Sequence, residues 1–448
     1  MTVPDARARR ERVLVIAHGH PDFATGGGEL AAWRLSQAYR EAPGVEACWL
    51  LARVDRGRGA TGAISLRREH EYLWEQSLRD WHLLRAANPH ATDTGFVELL
   101  QALQPSIVHV HHVAHLGVEM LRTLRRTLPQ ARLLMTLHEY MAICQSDGQM
   151  VTPQQHRLCE RDSPDDCHRC HPQHSPEDFW LRKRFLQQHY ERVDAFVAPS
   201  EFLRQRYIAW GIAPERIHVI ENGQADEAPL DTPPGINDST RRRRFGFFGQ
   251  VNPYKGLDLL LDALTRLSPA ERAGLVLEIN CAQLEHQTPA LQARIDRLVR
   301  PLIDDGCVVW RGPYRPEELR RRLAAVDWVV VPSIWWENSP LVIQEAFSAG
   351  RPVLCSDIGG MAEKVRHDVD GLHVPVADAH AWGHRLRDCA GPAGAATWAR
   401  LRAGIRRPPT HAAVARAHLG LAASAGSEQP PARTPVVIPL HPVTRTGS

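Results

Sequence analysis

The sequence predicts an α/β protein built from two doubly wound, parallel-sheet domains of the Rossmann-like type that face each other across a cleft. Short apolar segments alternate with amphipathic helical patterns along most of the chain, which favours parallel sheets covered by helices on both faces. The length of 448 residues exceeds what a single hydrophobic core supports. Ligands of such sheets bind at the carboxyl ends of the strands, so the functional site is expected in the cleft.

Six apolar segments of the first half predict strands buried on both faces. They are RVLVIAH (12–18), VEACWLLAR (45–53), SIVHVHH (106–112), ARLLMTLH (131–138), AFVAPS (195–200) and IHVIENG (217–223). Helical patterns such as GELAAWRLSQAYRE (28–41) and VEMLRTLRRTL (118–128) lie between them. We therefore assign residues 1–225 to an N-terminal domain that forms one side of the cleft.

A second set of strand patterns follows a polar segment rich in Pro, Gly, Asp and Asn. The set comprises RFGFFGQ (244–250), LVLEINC (275–281), CVVWRGPY (307–314), VDWVVVPS (326–333), RPVLCSD (351–357) and DGLHVPV (370–376). The polar segment predicts a linker over 226–243, followed by a C-terminal domain over 244–390. Helices are expected over 391–424 and a disordered tail over 425–448.

Charge and composition exclude several classes of protein. The 54 basic and 51 acidic residues leave a net charge of +3, which does not favour nucleic acid as a partner. No apolar run approaches the roughly 20 residues of a membrane span, and the N-terminal apolar run is too short for a signal peptide. Nine cysteines, an odd number, do not suggest a secreted disulfide framework. We expect a cytoplasmic enzyme.

The stretch ENSPLVIQEAF (337–347) predicts a helix whose first turn binds an anion. Ser339 suits the N-cap and Pro340 suits the first helical position, so a helix is expected to start there. The N–H groups of Leu341 and Val342 would then have no acceptor inside the helix and would point at a bound anion.

Two carboxylates flank this predicted anion site. Glu337 lies in the approach to the helix and Glu345 lies about five positions inside it. A carboxylate repels a phosphate, so the expected partners of both side chains are hydroxyl groups. A diphosphate with hydroxyl groups on both sides is the arrangement found in a nucleotide sugar, where ribose lies on one side and the sugar on the other. The alternative is two unrelated acids near a helix end.

Two further strand-to-helix turns have the composition of phosphate-binding loops. In FGFFGQVNPYKGLDLLLDAL a strand ends at Gly249, a loop carries Lys255 and a helix follows. In HGHPDFATGGGELAAWRL the glycines Gly26, Gly27 and Gly28 precede a helix. Each loop alone is weak evidence, but three anion sites divided between two domains are a stronger indication.

With these motifs the sequence resembles the retaining GT-B glycosyltransferases of family 4, over about residues 12–420. The most specific part is the E-x7-E pattern of Glu337 and Glu345, followed by EAFSAGRPVLCSDIGGMAEKVRHDVDGLHV. VIENG before the linker, FFGQVNPYKG after it and TLHEY in the first half also fit. The resemblance implies transfer of a sugar from a nucleotide-sugar donor, of the UDP or GDP type, to an acceptor with retention of anomeric configuration. A glycan, a lipid-linked compound or a small molecule would serve as acceptor.

The resemblance also implies roles for single residues. Glu345 would hold the ribose hydroxyls and Glu337 would contact the donor sugar, with the backbone amides of the following Asn338 and Ser339 near the diphosphate. Lys255 would neutralise the diphosphate. The N-terminal glycine loop would close over it.

From the other domain, the resemblance places His138 of TLHEY near the transferred sugar. The leaving phosphate is expected to take the proton of the acceptor, without a covalent intermediate. The fixed positive groups make a divalent metal unnecessary for catalysis. Asp368 and Asp370, a chance Asp-x-Asp match, fall in a turn.

One position departs from the family pattern, because Gln250 stands where an Arg usually shares the diphosphate with the Lys. Loss of a charged contact would cost about 1.5–3 kcal/mol of leaving-group stabilisation. Either another cation such as Arg311 compensates or turnover is slow. Two rivals therefore stay open: a nucleotide-sugar epimerase on the same fold, which would need an acid/base pair, and a catalytically weak nucleotide-sugar-binding protein.

Two clusters outside the motifs have alternative interpretations. His109, His111, His112 and His115 form either the edge of a strand at the cleft or a metal site. Basic residues on one face of LRTLRRTL indicate either a solvated helix or a peripheral contact with anionic lipid; they are Arg122, Arg125 and Arg126.

Four of the nine cysteines, Cys144, Cys159, Cys167 and Cys170, lie within 27 residues after TLHEY. The last two form a C-x2-C pair, and the loop has few apolar residues, so it needs a covalent or metal staple. Four thiolates in a reducing compartment suit one tetrahedral, structural zinc. The alternatives are an iron–sulfur cluster, unliganded thiols or two disulfides.

Overall fold

The structure, a computed structural model, describes residues 10–24, 26–55, 62–87, 89–153, 155–231 and 242–425. Most of the predicted linker and all of the predicted tail except Ala425 lie outside these residues, as does Thr25 beside the glycine loop.

The first half of the described chain forms an eight-stranded sheet in the order β10-β9-β8-β7-β1-β2-β4-β3. Its strands are β1 Glu11–Ala17, β2 Val45–Val54, β3 Ile64–Arg68, β4 Glu71–Glu75, β7 Ile107–Val110, β8 Arg132–Thr136, β9 Ala195–Ala198 and β10 Ile217–Val219. All neighbours pair in parallel except β3 and β4, which form an antiparallel edge. The short strands β5 Leu78–Asp80 and β6 Arg85–Ala86 pair separately.

Helices cover both faces of this sheet. They are α1 Gly27–Glu41, α2 Pro89–Leu103, α3 Met120–Thr127, α4 Pro164–Cys170, α5 Pro176–Tyr190 and α6 Glu201–Trp210, with a 3-10 turn at Pro214–Arg216. Alternate residues of β1 point into different cores: Leu14 packs in one cluster, and Val13 and Val15 pack in the other. This alternation shows why the strand is apolar at every position.

The second half forms a six-stranded, fully parallel sheet in the order β13-β12-β11-β14-β15-β16. Its strands are β11 Arg244–Gln250, β12 Val276–Ala282, β13 Val308–Trp310, β14 Trp328–Val331, β15 Val353–Ser356 and β16 Gly371–Val374. The helices are α7 Leu257–Thr265, α8 Pro269–Arg272, α9 Pro289–Asp304, α10 Pro316–Ala324, α11 Leu341–Ser348, α12 Gly359–Lys364, α13 Ala379–Ala390, α14 Gly394–Gly404 and α15 His411–Ala425, with a 3-10 turn at Leu284–His286.

The final helix α15 returns to the first domain. Its residues Val414, Ala415 and Ala422 are buried in the cluster that contains Val13 and Val15 of β1. The chain therefore crosses between the domains twice, once near the predicted linker and once before α15.

The predicted architecture of two parallel-sheet α/β domains is confirmed, and all twelve predicted strands are present. In each sheet the strand order reverses direction at one place, between β1 and β7 in the first and between β11 and β14 in the second. The loops that follow these four strands contain most of the residues singled out by the sequence analysis. This is the position where doubly wound sheets bind ligands.

Within the described part of the chain, none of the helices combines the length and apolar character that crossing a bilayer requires. In α3, Arg125 donates to the carbonyl of Arg192 (2.8 Å) and to Asp194 (2.8 Å). These bonds engage Arg125, whereas Arg122 and Arg126 are exposed, and the peripheral lipid contact stays a prediction.

Candidate active site

The loop after β11 projects Lys255 into the cleft. The Asn252 side-chain oxygen accepts hydrogen bonds from the N–H groups of Tyr254 (2.9 Å) and Lys255 (3.1 Å), which closes a tight turn. Gly256 follows with a φ of 72°, and a Cβ there would lie 2.1 Å from the carbonyl oxygen of Pro332. Only glycine fits this position, so the turn and the direction of Lys255 are fixed together.

Glu337 is buried and its carboxylate receives Lys255. Glu337 Oε1 accepts hydrogen bonds from Lys255 Nζ (2.6 Å), Ser333 Oγ (2.8 Å) and Trp335 Nε1 (2.9 Å). All described bonds to this carboxylate end on Oε1, which leaves Oε2 with lone pairs for a ligand. The structure thus joins two residues that the sequence analysis placed in one site from motifs about 80 residues apart.

Helix α11 begins at Leu341, and the prediction that Ser339 is its N-cap is wrong. Pro340 occupies the cap position with extended backbone, without a side-chain cap. Ser339 Oγ instead donates to Glu221 Oε1 (2.6 Å). The first N–H groups of the helix, those of Leu341 and Val342, consequently have no side-chain cap.

Glu345 lies in α11 with 14% of its side chain exposed. Arg34 of α1, in the other domain, approaches Glu345 Oε1 at 3.9 Å. Burial raises the pKa of the Glu345 carboxyl, and the charge of Arg34 counteracts part of this rise. The sequence analysis did not predict Arg34, because nothing in the pattern of α1 separates it from an ordinary surface arginine.

The glycine loop of the first domain lies opposite the start of α11. A Cβ on Gly27 would be 3.5 Å from Leu341 Cδ1, and a Cβ on Gly28 would be 3.6 Å from the His138 ring. The carboxylate of Glu29 folds back so closely that a Cβ on Gly26 would lie 2.1 Å from it. Glu29 already brings a negative charge to this helix end, which disfavours a bound anion. The structure instead indicates that these glycines let the chain pack closely against Leu341 and His138.

His138 follows β8 and reaches the same place from the first domain. Its Nε2 lies 2.9 Å from His111 Nδ1, and its carbonyl accepts from Asn338 Nδ2 (3.3 Å). Burial lowers the pKa of His138 to about 3, with smaller contributions from His112 and His18. The imidazole is therefore neutral at physiological pH and acts as a hydrogen-bonding group rather than as a cation.

The two domains are joined directly behind these residues. Ser200 Oγ of the first domain donates to the side-chain oxygen of Asn338 in the second (2.6 Å). The Asn338 side chain therefore contributes to the contact between the domains. Glu221 of VIENG, besides accepting from Ser339, pairs with Lys364 of α12. The sequence analysis quoted VIENG only for its resemblance and gave Glu221 no role.

Gln250 is the last residue of β11 and pairs in register with Ala282 of β12. Arg311, suggested above as a cation in place of the family's Arg, does not bond to the Lys255 loop in the structure. Its guanidinium Nε donates to Glu278 (2.9 Å), whose strand partner Gly246 precedes Gln250 by four residues. At about 3.3 Å per residue, this is roughly 13 Å along the strand. The structure therefore gives no support to Arg311 as the cation that replaces the family's Arg.

The histidines in and after β7 bond with neighbouring side chains. His109 bonds with the Tyr39 hydroxyl (3.0 Å) and with Thr136 Oγ1 (2.7 Å). His112 Nε2 contacts Glu139 Oε1 at 2.9 Å. These contacts favour the interpretation of the segment as the edge of a strand at the cleft.

The cysteine-containing loop is better anchored than its composition suggests. Met150 and Val151 are buried in the core of the first domain, and Cys159 N donates to the carbonyl of Met150 (2.8 Å). All four cysteines are free thiols. Among the described residues, no three His, Cys, Asp or Glu side chains form a group that could hold a metal ion. Zinc binding therefore stays a prediction.

Two family models match the chain in tandem. Residues 25–226 match the model described as Glycosyltransferase Family 4, and residues 242–390 match the model described as Glycosyl transferases group 1. Their boundary falls in the predicted linker.

Curated relatives match over part of their length. The D-inositol 3-phosphate glycosyltransferase of Nocardioides sp. is 30% identical over 215 residues, covering 44% of this chain and 46% of that protein. The alpha-maltose-1-phosphate synthase of Mycolicibacterium smegmatis is 28% identical over 212 residues, covering 44% and 53%. The chain thus spans about half the length of these relatives.

Solved structures share the fold over nearly the whole chain. Anabaena HepE in complex with UDP and glucose has a TM-score of 0.63 at 16% identity, covering 92% of this chain and 100% of HepE. Sucrose-phosphate synthase from Thermosynechococcus elongatus has a TM-score of 0.65 at 19% identity, covering 93% and 99%. The chain therefore has the two-domain GT-B fold of these structures, with a first region similar to Glycosyltransferase Family 4 and a second region similar to Glycosyl transferases group 1.

Proposed function

We propose that the protein transfers a sugar from a UDP- or GDP-linked donor to an acceptor hydroxyl, with retention of anomeric configuration. The observation that carries this proposal is the Lys255–Glu337 pair beside the uncovered first turn of α11, facing His138 across the cleft. Solved neighbours of the same fold hold UDP or UDP-glucose, which supports the donor class.

Catalysis would come from positive groups aimed at the leaving diphosphate. The bond between the sugar carbon and the phosphate oxygen breaks, and negative charge grows on that oxygen. The ammonium of Lys255 and the N–H groups of Leu341 and Val342 would stabilise this charge in a site from which water is largely excluded. Because these groups are fixed before the reaction, no divalent metal is required in this mechanism.

The two glutamates would orient the donor through its hydroxyl groups. Glu337 Oε1 already accepts three hydrogen bonds, so its Oε2 would accept a hydroxyl of the transferred sugar. Glu345, one to two turns into α11, would accept the ribose hydroxyls. The charge of Arg34 favours the ionised form of Glu345 that this role needs.

Retention requires the acceptor oxygen to attack from the face that the diphosphate leaves. The acceptor proton would pass to the departing phosphate oxygen, so atoms and charge balance without a covalent intermediate. The neutral imidazole of His138 would form a hydrogen bond with a hydroxyl of the transferred sugar and so fix the position of the sugar. Relatives named as D-inositol 3-phosphate glycosyltransferases support an acceptor of the polyhydroxylated class.

A second candidate is a nucleotide-sugar-binding protein of low turnover. It is favoured by Gln250 at the family's Arg position, together with the engagement of Arg311 by Glu278. Its donor site would be the same, but the diphosphate would receive less charge stabilisation.

A donor panel separates these functions. We would incubate the protein with UDP-glucose, UDP-galactose, UDP-N-acetylglucosamine and GDP-mannose, and follow nucleotide release and product anomers by NMR. Transfer or slow hydrolysis that keeps the donor's anomeric configuration supports the enzyme. Tight binding of a donor with no release supports the low-turnover protein, and a C2-epimerised sugar would indicate the epimerase.

We also propose that the cysteine-containing loop holds one structural zinc, which would order the segment that carries His138. The proposal requires the four thiols to move closer together than they lie here. Buried Arg182 supports it, because Arg182 donates to the carbonyls of Met141, Ala142 and His82 and has no carboxylate partner among the described residues. A zinc tetrathiolate carries two negative charges and would supply the missing counter-charge.

Elemental analysis tests this proposal. Purified protein should carry about one zinc, and the double variant Cys167→Ser with Cys170→Ser should lose it, whereas Cys48→Ala, in the sheet core, should keep it. Metal-free protein with four freely titrating loop thiols and full activity would exclude the zinc.

A further inference from the structure

A polar pocket of about 630 Å³ opens beside the Lys255 loop, with walls from both domains. The first domain contributes Pro153 and three segments, 79–82, 145–149 and 171–174, and the second domain contributes Tyr254. The volume lies within the roughly 300–1,000 Å³ typical of small-molecule sites. We call it the Trp81 pocket.

Aromatic rings form part of its wall. The Trp81 indole N–H donates to the carbonyl of Gln145 (3.3 Å), which holds the ring in place. The His82 and His174 rings stack at 3.9 Å. Tyr254 closes the opposite side and lies edge-on to His156, with ring centroids 5.7 Å apart.

Hydrogen-bond acceptors without partners also line the pocket. Gln149 Oε1 is buried and has no hydrogen-bond partner among the described residues. Asp147, at a φ of 47°, is exposed and makes no described side-chain hydrogen bond or ion pair. A buried amide oxygen without a donor is costly, so it marks a place where a ligand donor fits.

The pocket adjoins the proposed reaction site on both sides. Tyr254 directly precedes Lys255, and its ring lies 6.5 Å from the Trp335 ring, whose N–H bonds to Glu337. At the other side, a Cβ on Gly148 would lie 2.1 Å from Glu139 Oε2, and Glu139 follows His138. A molecule in the pocket would therefore lie between the loops that present Lys255 and His138.

The lining chemistry distinguishes among ligand classes. The carboxylates of Asp80 and Asp147 balance the guanidinium of Arg79, so the fixed charges of the wall leave no excess of positive charge for an anion. A lipid chain would need continuous apolar walls. Aromatic faces combined with carboxylate and amide oxygens suit a ring that has apolar C–H faces and many hydroxyl donors.

We propose that the Trp81 pocket is the acceptor site and that it binds a neutral carbohydrate. This inference rests on the proposed glycosyl transfer, and it removes lipid-linked compounds from the three acceptor classes.

Binding measurements test it independently of turnover. Saturation-transfer NMR and calorimetry would use methyl α-glucoside, maltose and sucrose as probes, with UDP present. We expect at least one saccharide to bind, and Asp147→Ala and Gln149→Leu each to weaken it by about tenfold or more. Asp165→Ala, which removes an exposed carboxylate of the same loop outside the pocket, should leave its affinity unchanged, and no variant should change the affinity for UDP.

The remaining outcomes distinguish failure of the pocket proposal from failure of the proposed function. No saccharide binding while UDP binds normally would overturn the pocket proposal alone, as would saccharide binding that Asp147→Ala and Gln149→Leu leave intact. Binding of only an anionic or polyprenyl-linked sugar in vesicles would also overturn it. Failure of the wild-type protein to bind any nucleoside diphosphate or nucleotide sugar would instead refute the proposed function.

Discussion

The two sides of the cleft are built in different ways. On the C-terminal side, the loop after β11 and the start of α11 present their groups from short contiguous segments whose glycine, proline and acidic residues are visible in the sequence. On the N-terminal side, the functional surface combines the glycine loop, the histidines after β7 and β8, and a long cysteine-containing loop. Backbone turns direct the groups of the first side, whereas hydrogen bonds between neighbouring histidine and carboxylate side chains organise the second.

The difference predicts that single substitutions on the C-terminal side act on the chemical step. Lys255→Ala should lower kcat by about 10²–10³-fold and raise the donor KM less, since the charge that Lys255 meets grows in the transition state. Steady-state kinetics with the best donor of the panel would measure both constants.

Lys183→Ala is the matched control, because Lys183 also forms an ion pair, with Asp162, but away from the cleft. An unchanged kcat in Lys255→Ala would remove Lys255 from the site.

Glu345→Ala should weaken donor binding and turnover by about 1.5–3 kcal/mol, the value of a charged hydrogen bond. Glu285→Ala removes an exposed acid of the same domain and should behave as wild type. Calorimetry with UDP or GDP reports the binding part of the effect. Wild-type affinity and kinetics would refute the assignment of the E-x7-E pattern to ribose binding.

The pH dependence of donor binding gives a second test of the proposed role of Glu345. Burial raises the pKa of Glu345, so donor affinity should begin to fall at a pH above the usual carboxyl range as the group becomes protonated. The same shift means that folded protein binds the proton more tightly than unfolded protein. Glu345 therefore destabilises the fold as pH rises from the ordinary carboxyl pKa through the raised one.

Acid should destabilise the N-terminal side, in contrast to the effect of Glu345 on the free energy of unfolding. Burial lowers the pKa values of five histidines around its sheet; they are His18, His109, His111, His138 and His418. Unfolding below pH 6.5 lets each take up a proton, so the free energy of unfolding should fall by up to about 1.4 kcal/mol per pH unit for each histidine. Urea titrations between pH 7.5 and 5 would measure the slope.

His418→Phe removes one of these histidines and should reduce the slope by about one proton, whereas the exposed His286 replaced by Phe should not change it. A slope that is the same in both variants would contradict the account of a buried, neutral histidine cluster.

The sequence predicted the fold well because strands buried on both faces are apolar throughout. It missed β3 and β4, since β3 is largely exposed and β4 begins and ends with glutamates. Lys255 and Glu337 could be placed in one site because both follow strands at the switch point of one sheet.

Features that depend on distant partners could not be predicted. Ser339 has the composition of an N-cap, but Glu221, more than 100 residues away, binds its hydroxyl instead. Arg34 and Arg311 illustrate the same limit: each is an ordinary arginine in sequence, and only the fold shows that the first meets Glu345 and the second Glu278.

The smallest expected effect is that of chelation. Because the account assigns leaving-group stabilisation to Lys255 and helix N–H groups, activity should survive dialysis against EDTA without added magnesium. Turnover assays before and after dialysis, and after magnesium is returned, would check this. Strict dependence on magnesium would argue against a metal-free diphosphate site.

We propose above that the first turn of α11 binds the donor diphosphate, and one pair of variants tests this directly. Leu341→Pro removes one N–H from that turn, and proline is tolerated at a first helical position, while Leu341→Ala removes the side chain but keeps the N–H. Calorimetric titration with UDP and GDP on both variants isolates the amide. The account predicts that Leu341→Pro binds about tenfold or more weakly than Leu341→Ala. Equal affinities of the two variants would contradict it.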